Sequence, residues 1–228
     1  MALMGKAALA MWWNIDPQDR QEFEHWHSSE HFAERLGVPG FLRGARWECR
    51  SGEARYFVMY ELSSLAVLSS DSYRDRVNSP TPWSSKMMAG FRNMVRSPCL
   101  VQASEGAGIG RVMLTLRFSP QAGQADALRQ WIAQHVLPKL SQQAGLSGAH
   151  LLESVAPAGP APAQTAEQKI RGGDAAADWV LLVNGYDLKA VTAVMENELN
   201  EKNIERNGAA PGSTADLYQL SYLQHVMP

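Results

Sequence analysis

Trp26-His27-Ser28-Ser29-Glu30-His31-Phe32-Ala33-Glu34-Arg35-Leu36 packs two imidazoles, two carboxylates and a guanidinium into one short run. The segment His135-Val136-Leu137-Pro138-Lys139-Leu140 echoes its closing part in the second half of the chain. The first run reads as a helix over 16–36, because Asp16 can cap it, Pro17 suits the first helical position and Gly37-Val38-Pro39-Gly40 stops it.

On the N-terminal side, 6–15 reads as an apolar strand. On the other side, 41–50 and 54–62 flank the turn Ser51-Gly52-Glu53 as a hairpin. Residues 65–77 read as a second helix. After the break Pro80-Thr81-Pro82, the spacing of Trp83, Met87, Phe91 and Met94 predicts a third, amphipathic helix near 82–96. A short strand over 99–103 closes this half, and the glycine-rich stretch 105–110 marks a boundary.

The second half repeats the order: a strand over 111–118, a helix from Ser119-Pro120 to 143, a hairpin pair at 146–155 and 179–187, a helix over 189–207 and a strand over 215–226. Laid over one another, the halves place His31 on His135 and Glu61-Leu62 on Asp187-Leu188. The expected fold class is α+β, with two ferredoxin-like βαββαβ units over 1–104 and 110–228. The connection 156–177 is rich in Ala, Pro, Gly and Gln, which predicts a mobile loop. Two helices cover only one face of a four-stranded sheet. Yet Tyr56-Phe57-Val58-Met59-Tyr60 and Val180-Leu181-Leu182-Val183 are apolar on both faces. The bare faces are therefore expected to meet and close a barrel-like core.

Composition narrows the partners. The 228 residues are 45% hydrophobic and 19% charged, with a formal net charge of −2, which accumulates no basic face for nucleic acid. Only Cys49 and Cys99 are present, too few for a disulfide framework or a cysteine-rich zinc site. The apolar stretch 7–13 behind Lys6 loosely mimics a signal peptide, but it is short and ends in two tryptophans, so it reads as a buried strand. No stretch approaches a membrane span, and a cytoplasmic protein is expected. Phosphate loops, nucleophile elbows and dinucleotide fingerprints are missing from the sequence.

On a helical wheel, Phe23, Trp26, Ala33 and Leu36 form an apolar stripe, and His27, Glu30, His31 and Glu34 cluster on its flank. That pattern predicts acid/base chemistry at the rim of a space between helix and sheet. His31 leads, since it recurs as His135, with His27, Glu34 and the strand-end Glu61 assisting. Arg35 would hold a carboxylate or enolate oxygen. Trp26, Trp83, Met87 and Phe91 are the candidate substrate-contacting side chains, beside Met88 and Met94, with core packing as the competing role. Arg43 and Arg46 sit on the next strand as exposed arginines that could bind an anion. His150 and His225 read as structural. His27, His31 and Glu34 resemble a chelating face, but His27-Ser28-Ser29-Glu30-His31 departs from the H-E-x-x-H zinc pattern, and no metal is expected.

Trp26-His27-x-x-x-His31, then Glu34-Arg35-Leu36 and Pro39-Gly40-Phe41, resembles the EthD-like branch of the dimeric α+β barrel superfamily over residues 20–62. The resemblance implies sheet-paired ferredoxin-like units, here fused in tandem, and a pocket between helices and sheet, with His31 carried over. The superfamily spans lactone isomerases, cofactor-free monooxygenases, haem-degrading enzymes and dehydratases, so fold does not decide function. The leading expectation is an enzyme without a cofactor, an isomerase, dehydratase or other lyase acting on a small oxygenated, fairly apolar catabolite. The alternative is a non-catalytic small-molecule or haem-binding protein, with His31 or His135 as the haem ligand. A homodimer is possible for either.

Overall fold

The structure, a computed structural model, describes residues 3–155 and 163–226. The first half is β1 (Ala7–Ile15), α1 (Arg20–Trp26), α2 (Phe32–Leu36), β2 (Phe41–Ser51), β3 (Tyr56–Leu62), α3 (Asp71–Asn78), α4 (Pro82–Met88) and β4 (Phe91–Gly106). The second is β5 (Val112–Phe118), α5 (Ala125–Trp131), α6 (Leu137–Ser141), β6 (Leu146–Ser154), α7 (Ala166–Arg171), β7 (Trp179–Gly185), α8 (Leu188–Glu196), α9 (Glu201–Arg206) and β8 (Thr214–His225).

Every residue of β3 and of β7 is buried, as expected of strands with two covered faces. The eight strands form one closed antiparallel barrel in the order β1-β3-β2-β8-β5-β7-β6-β4. The halves are also joined edge to edge. β4 pairs with β1 of its own half and with β6, while β8 pairs with β5 and with β2. Closure leaves no strand edge open. Inside the barrel, Trp12, Trp47, Phe57 and Met59 pack with Met113, Leu152, Val180, Leu182 and Tyr218. The outer sheet faces carry two further cores beneath the helices of each half. The fold is α+β and ferredoxin-like, as the sequence predicts.

Four local expectations are corrected. First, α1 and α2 are one helix interrupted by a π turn at His27–His31, where the Phe32 N–H reaches back to the His27 carbonyl. The extra residue advances the wheel, so Phe32 is buried and Ala33 exposed, the reverse of a regular α-helix reading. Second, a matching π turn at Ile132–Val136 joins α5 to α6. It sets the correspondence between halves one residue further along: Trp131 stands over Trp26, Val136 over His31 and His135 over Glu30. His135 is exposed and is no counterpart of His31.

Third, the predicted helix near 82–96 ends at Met88, and Phe91 and Met94 belong to β4. Asn93 (φ 54°) forms a bulge in β4 where the register against β1 shifts. That one extra residue turns both Phe91 and Met94 inward, giving a three-residue spacing that imitates a helix. The strand expected over 99–103 is accordingly the end of this long β4, which also absorbs Glu105 and Gly106. Fourth, in the loop expected over 156–177, residues 156–162 lie outside the described residues. The remainder is ordered by polar contacts. Thr165 and Gln168 form a capping box on α7, and Ala175 bridges to β4 of the other half through Met94 and Arg96. Apolar contact is limited to side chains such as Ile170 and Ala177, so the polar contacts, which composition does not reveal, supply much of the order.

Candidate functional site

Odd-numbered residues of β1 face the helices and even-numbered ones the barrel interior, so Leu9, Met11 and Trp13 share one side with Tyr60. Between this sheet face and the helices lies a cavity of about 470 Å³. Met11, Met88, Met94 and Phe91 line its apolar part, with Trp13 stacked on Phe91 (centroids 5.0 Å apart, 18° between planes). His27, His31, Arg35, Tyr60, Tyr73, Arg96, Glu167 and Arg171 supply its polar groups. Glu167 and Arg171 come from α7, so the second half completes a cavity built on the first.

The π turn brings both imidazoles inward. His27 and His31 are buried, with centroids 5.3 Å apart, and the Trp26 ring lies 4.6 Å from His31. Arg46 Nη1 lies 3.4 Å from His27 Nδ1. A guanidinium can only donate, so Nδ1 accepts and the His27 proton resides on Nε2. Arg46 is held in turn by the Glu24 carbonyl (3.3 Å) and Ser221 Oγ (3.0 Å). His31 Nδ1 faces Glu34 Oε2 at 3.7 Å. Burial pushes both imidazole pKa values well below the ordinary range, assisted by His31, Arg46 and Arg35 at His27 and by Arg35 and Arg171 at His31. Both are neutral at pH 7.

Arg35 is buried and ion-paired with Glu167 of α7. Among the described residues its Nη1 has no hydrogen-bond partner, and neither have Trp13 Nε1, His31 Nδ1 and the Tyr60 hydroxyl, all from cavity-lining residues. Burial raises the Tyr60 pKa, so the phenol stays a donor. A buried polar atom without a partner is costly; with His31 Nδ1 turned to Glu34, the three donors of Arg35, Tyr60 and Trp13 mark the surroundings of this cavity as a place for a ligand bearing oxygen atoms.

Of the sequence-predicted residues, His27, His31, Arg35 and Phe91 line this cavity. Glu34 stands behind His31, and Trp26 packs on His31. Glu61 does not join them. The two-residue period of β3 turns it to the face opposite Tyr60, where it accepts from Arg43 and from the Met4 N–H. Trp83 donates to Glu22 at 3.2 Å, and Met87 is a core residue, while its neighbour Met88 lines the cavity. Glu30 is taken by Trp26, Thr81 and Ser84. His150 is buried in a separate network with Ser104 and Asn184, and His225 is exposed. Arg46, expected to be exposed, is buried. Among the described residues, no three of His, Cys, Asp and Glu converge into a metal-binding group.

Sequence reading missed Tyr60, Tyr73, Arg96, Glu167 and Arg171, and it named Arg46 only as a strand arginine that could bind an anion. Strand alternation carries a signal for Tyr60, on the same side as Leu9 and Met11. For α7 the local signal is the Thr165-x-x-Gln168 capping box, with Gly172 following Arg171, which the surrounding Ala/Pro/Gly/Gln composition masks.

No protein-family model matches the chain, and no curated protein sequence matches it. Solved structures do. An anthrone oxidase-like protein superposes with a TM-score of 0.65 at 11% identity, covering 99% of this chain and 95% of that one. A putative monooxygenase from Lactobacillus acidophilus gives 0.62 at 7% identity, with 96% and 95% covered. A major regulator of staphylococcal pathogenesis gives 0.51 at 8% identity, with 94% and 99% covered. At these identities the likeness shows the fold, that of the ferredoxin-like dimeric α+β barrels. No described helix is long and apolar enough to cross a membrane.

Proposed function

We propose that this chain, a small-molecule-binding α+β barrel, is an enzyme without a cofactor that takes a proton from an oxygenated, largely apolar ring compound and steadies the resulting oxyanion. The observation that carries the reading is the pair of buried neutral imidazoles in one cavity with unpartnered donors from Arg35, Tyr60 and Trp13. His31 Nε2 is the base. As it gains the proton, its Nδ1–H closes the 3.7 Å gap to Glu34, which balances the imidazolium. His27, its proton fixed on Nε2 by Arg46, and Arg35 donate to the developing oxygen charge.

Returning the proton to another carbon is isomerisation, and expelling a β-hydroxyl as water is dehydration. The name of the anthrone oxidase-like neighbour favours a second outcome from the same carbanion, capture by dioxygen. A ring methylene then becomes a ketone: R2CH2 and O2 give R2CO and H2O. In this proposal the tandem arrangement over 1–104 and 110–228 and the EthD-like affinity of residues 20–62 describe how the site arose, with the second unit acting as scaffold.

The test is His31→Ala and His31→Asn against a panel of anthrone-like and hydroxylated ring ketones. Product and oxygen uptake are followed together. Turnover should fall about 10²–10⁴-fold with only a small change in Tm. Oxygen uptake stoichiometric with product selects the oxidative outcome. A fully active His31→Ala ends the proposal.

A further inference from the structure

One guanidinium in the cavity, that of Arg96, makes no direct ion pair among the described residues. Three gather near Tyr73: Arg35 lies over its ring at 5.9 Å, Arg96 Nη2 donates to its hydroxyl at 3.1 Å, and Arg171 reaches Glu167, the partner of Arg35. The carboxylates of this corner are already engaged. Glu167 serves Arg35, with Arg171 at 3.7 Å. Asp174 accepts from Arg171 Nε at 2.7 Å, Arg171 Nη2 at 2.8 Å and Gln168 Nε2 at 2.9 Å. Glu34 faces His31. Arg96 has only the Tyr73 hydroxyl, and among the described residues it forms no salt bridge. Residues 156–162, outside the described residues, are alanine, proline and glycine alone and carry no charged side chain.

Arg96 projects from β4 into the cavity beside Met11, its cross-strand partner, and Met94. A guanidinium cannot shed its proton, and Asp174 and Glu167 favour the charge of Arg96 only from beyond ion-pair distance, which leaves its fork without a direct acceptor on the cavity side. Its direct complement is an anion inside the cavity, and the planar fork fits a carboxylate in two parallel hydrogen bonds. The apolar floor of Met11, Met94, Phe91 and Trp13 fits a flat ring.

We infer that the cavity takes a small aromatic or alicyclic carboxylic acid, bound as its carboxylate by Arg96, with the ring on the Met/Trp/Phe floor. This deepens the functional reading by naming the substrate class, and it rests on that reading only in treating the cavity as the ligand site. Arg96 is the specificity residue. The unpartnered Arg35 Nη1 remains for the oxygen that changes charge.

The experiment is calorimetric titration of the full chain with 1-hydroxy-2-naphthoate and with its neutral counterpart 1-hydroxy-2-acetonaphthone. The acid should bind about tenfold or more tightly than the ketone. Arg96→Met should erase that preference while leaving ketone affinity within about twofold, and Arg96→Lys should restore part of it. His31→Ala should leave the preference intact, so the acid site and the base are tested apart. Equal binding of acid and ketone, no binding of the acid at millimolar concentration, or equal weakening of both by Arg96→Met and by Arg96→Lys overturns the inference.

Discussion

Arg46 does not itself line the cavity, yet through its contact with His27 it decides what that imidazole can do there. Because Arg46 can only donate, it holds His27 as the Nε2–H tautomer, and that choice makes His27 a donor and leaves His31 as the base. Arg46→Met should therefore mix the two tautomers of His27, read directly from the imidazole nitrogen shifts in ¹⁵N NMR. It should lower kcat by about 10–100-fold with little change in KM, since the lost interaction develops with the oxyanion. Unchanged nitrogen shifts would show that Arg46 is only a packing residue. The same residues set the pH response. His27 and His31 titrate below their ordinary value near 6.5 in the folded chain, and His150 is pushed down by burial to about 4. Between the folded and unfolded values the unfolded chain binds protons that the native chain does not, so stability falls as pH drops below about 6.5. Each histidine contributes a slope of up to about 1.4 kcal/mol per pH unit. Chemical denaturation at pH 7, 6 and 5 measures it, and a flat profile would contradict the neutral assignment.

At the scale of elements, two single-residue insertions shape the site. The π turn at His27–His31 swings both imidazoles inward, and the bulge at Asn93 turns Phe91 and Met94 onto the same cavity. Asn tolerates the left-handed backbone there, and a β-branched residue does not. Asn93→Val should lower stability by about 1–2 kcal/mol, and Asn93→Gly should be nearly neutral, by urea denaturation. The short helix α7 is attached through ion pairs and through Ile170, which packs on the first-half core. Glu167→Ala leaves Arg35 buried and unpaired, with an expected loss of about 3–5 kcal/mol. Glu167→Gln, which keeps a hydrogen-bond acceptor, should lose less.

At the scale of the whole molecule, the barrel interior belongs to both halves at once. Phe57 of β3 contacts Trp12 at 4.9 Å, Trp47 at 5.2 Å and Tyr218 of β8 at 5.8 Å. Phe57→Ala should cost about 3–5 kcal/mol. Because the core is shared, thermal unfolding of that variant should remain one transition followed equally by tryptophan fluorescence and far-ultraviolet circular dichroism. Two separated transitions would mean that the halves hold together independently.

The amino-acid sequence by itself determined the order of the eight strands and of the helices other than α7, through the doubly apolar β3 and β7, the Pro and Gly punctuation and the βαββαβ-like pattern. It also determined that the bare sheet faces must bury one another, and it singled out the helix bearing His27, His31 and Arg35. Only the tertiary structure decided the rest. The phase of that helix hangs on one shifted backbone hydrogen bond, which a regular wheel cannot represent. The inward turn of Phe91 and Met94 hangs on a bulge that copies helical spacing. The crossing of Glu167 and Arg171 onto the other half depends on ion pairs between residues far apart in the chain, and periodicity, a local property, carries no trace of them.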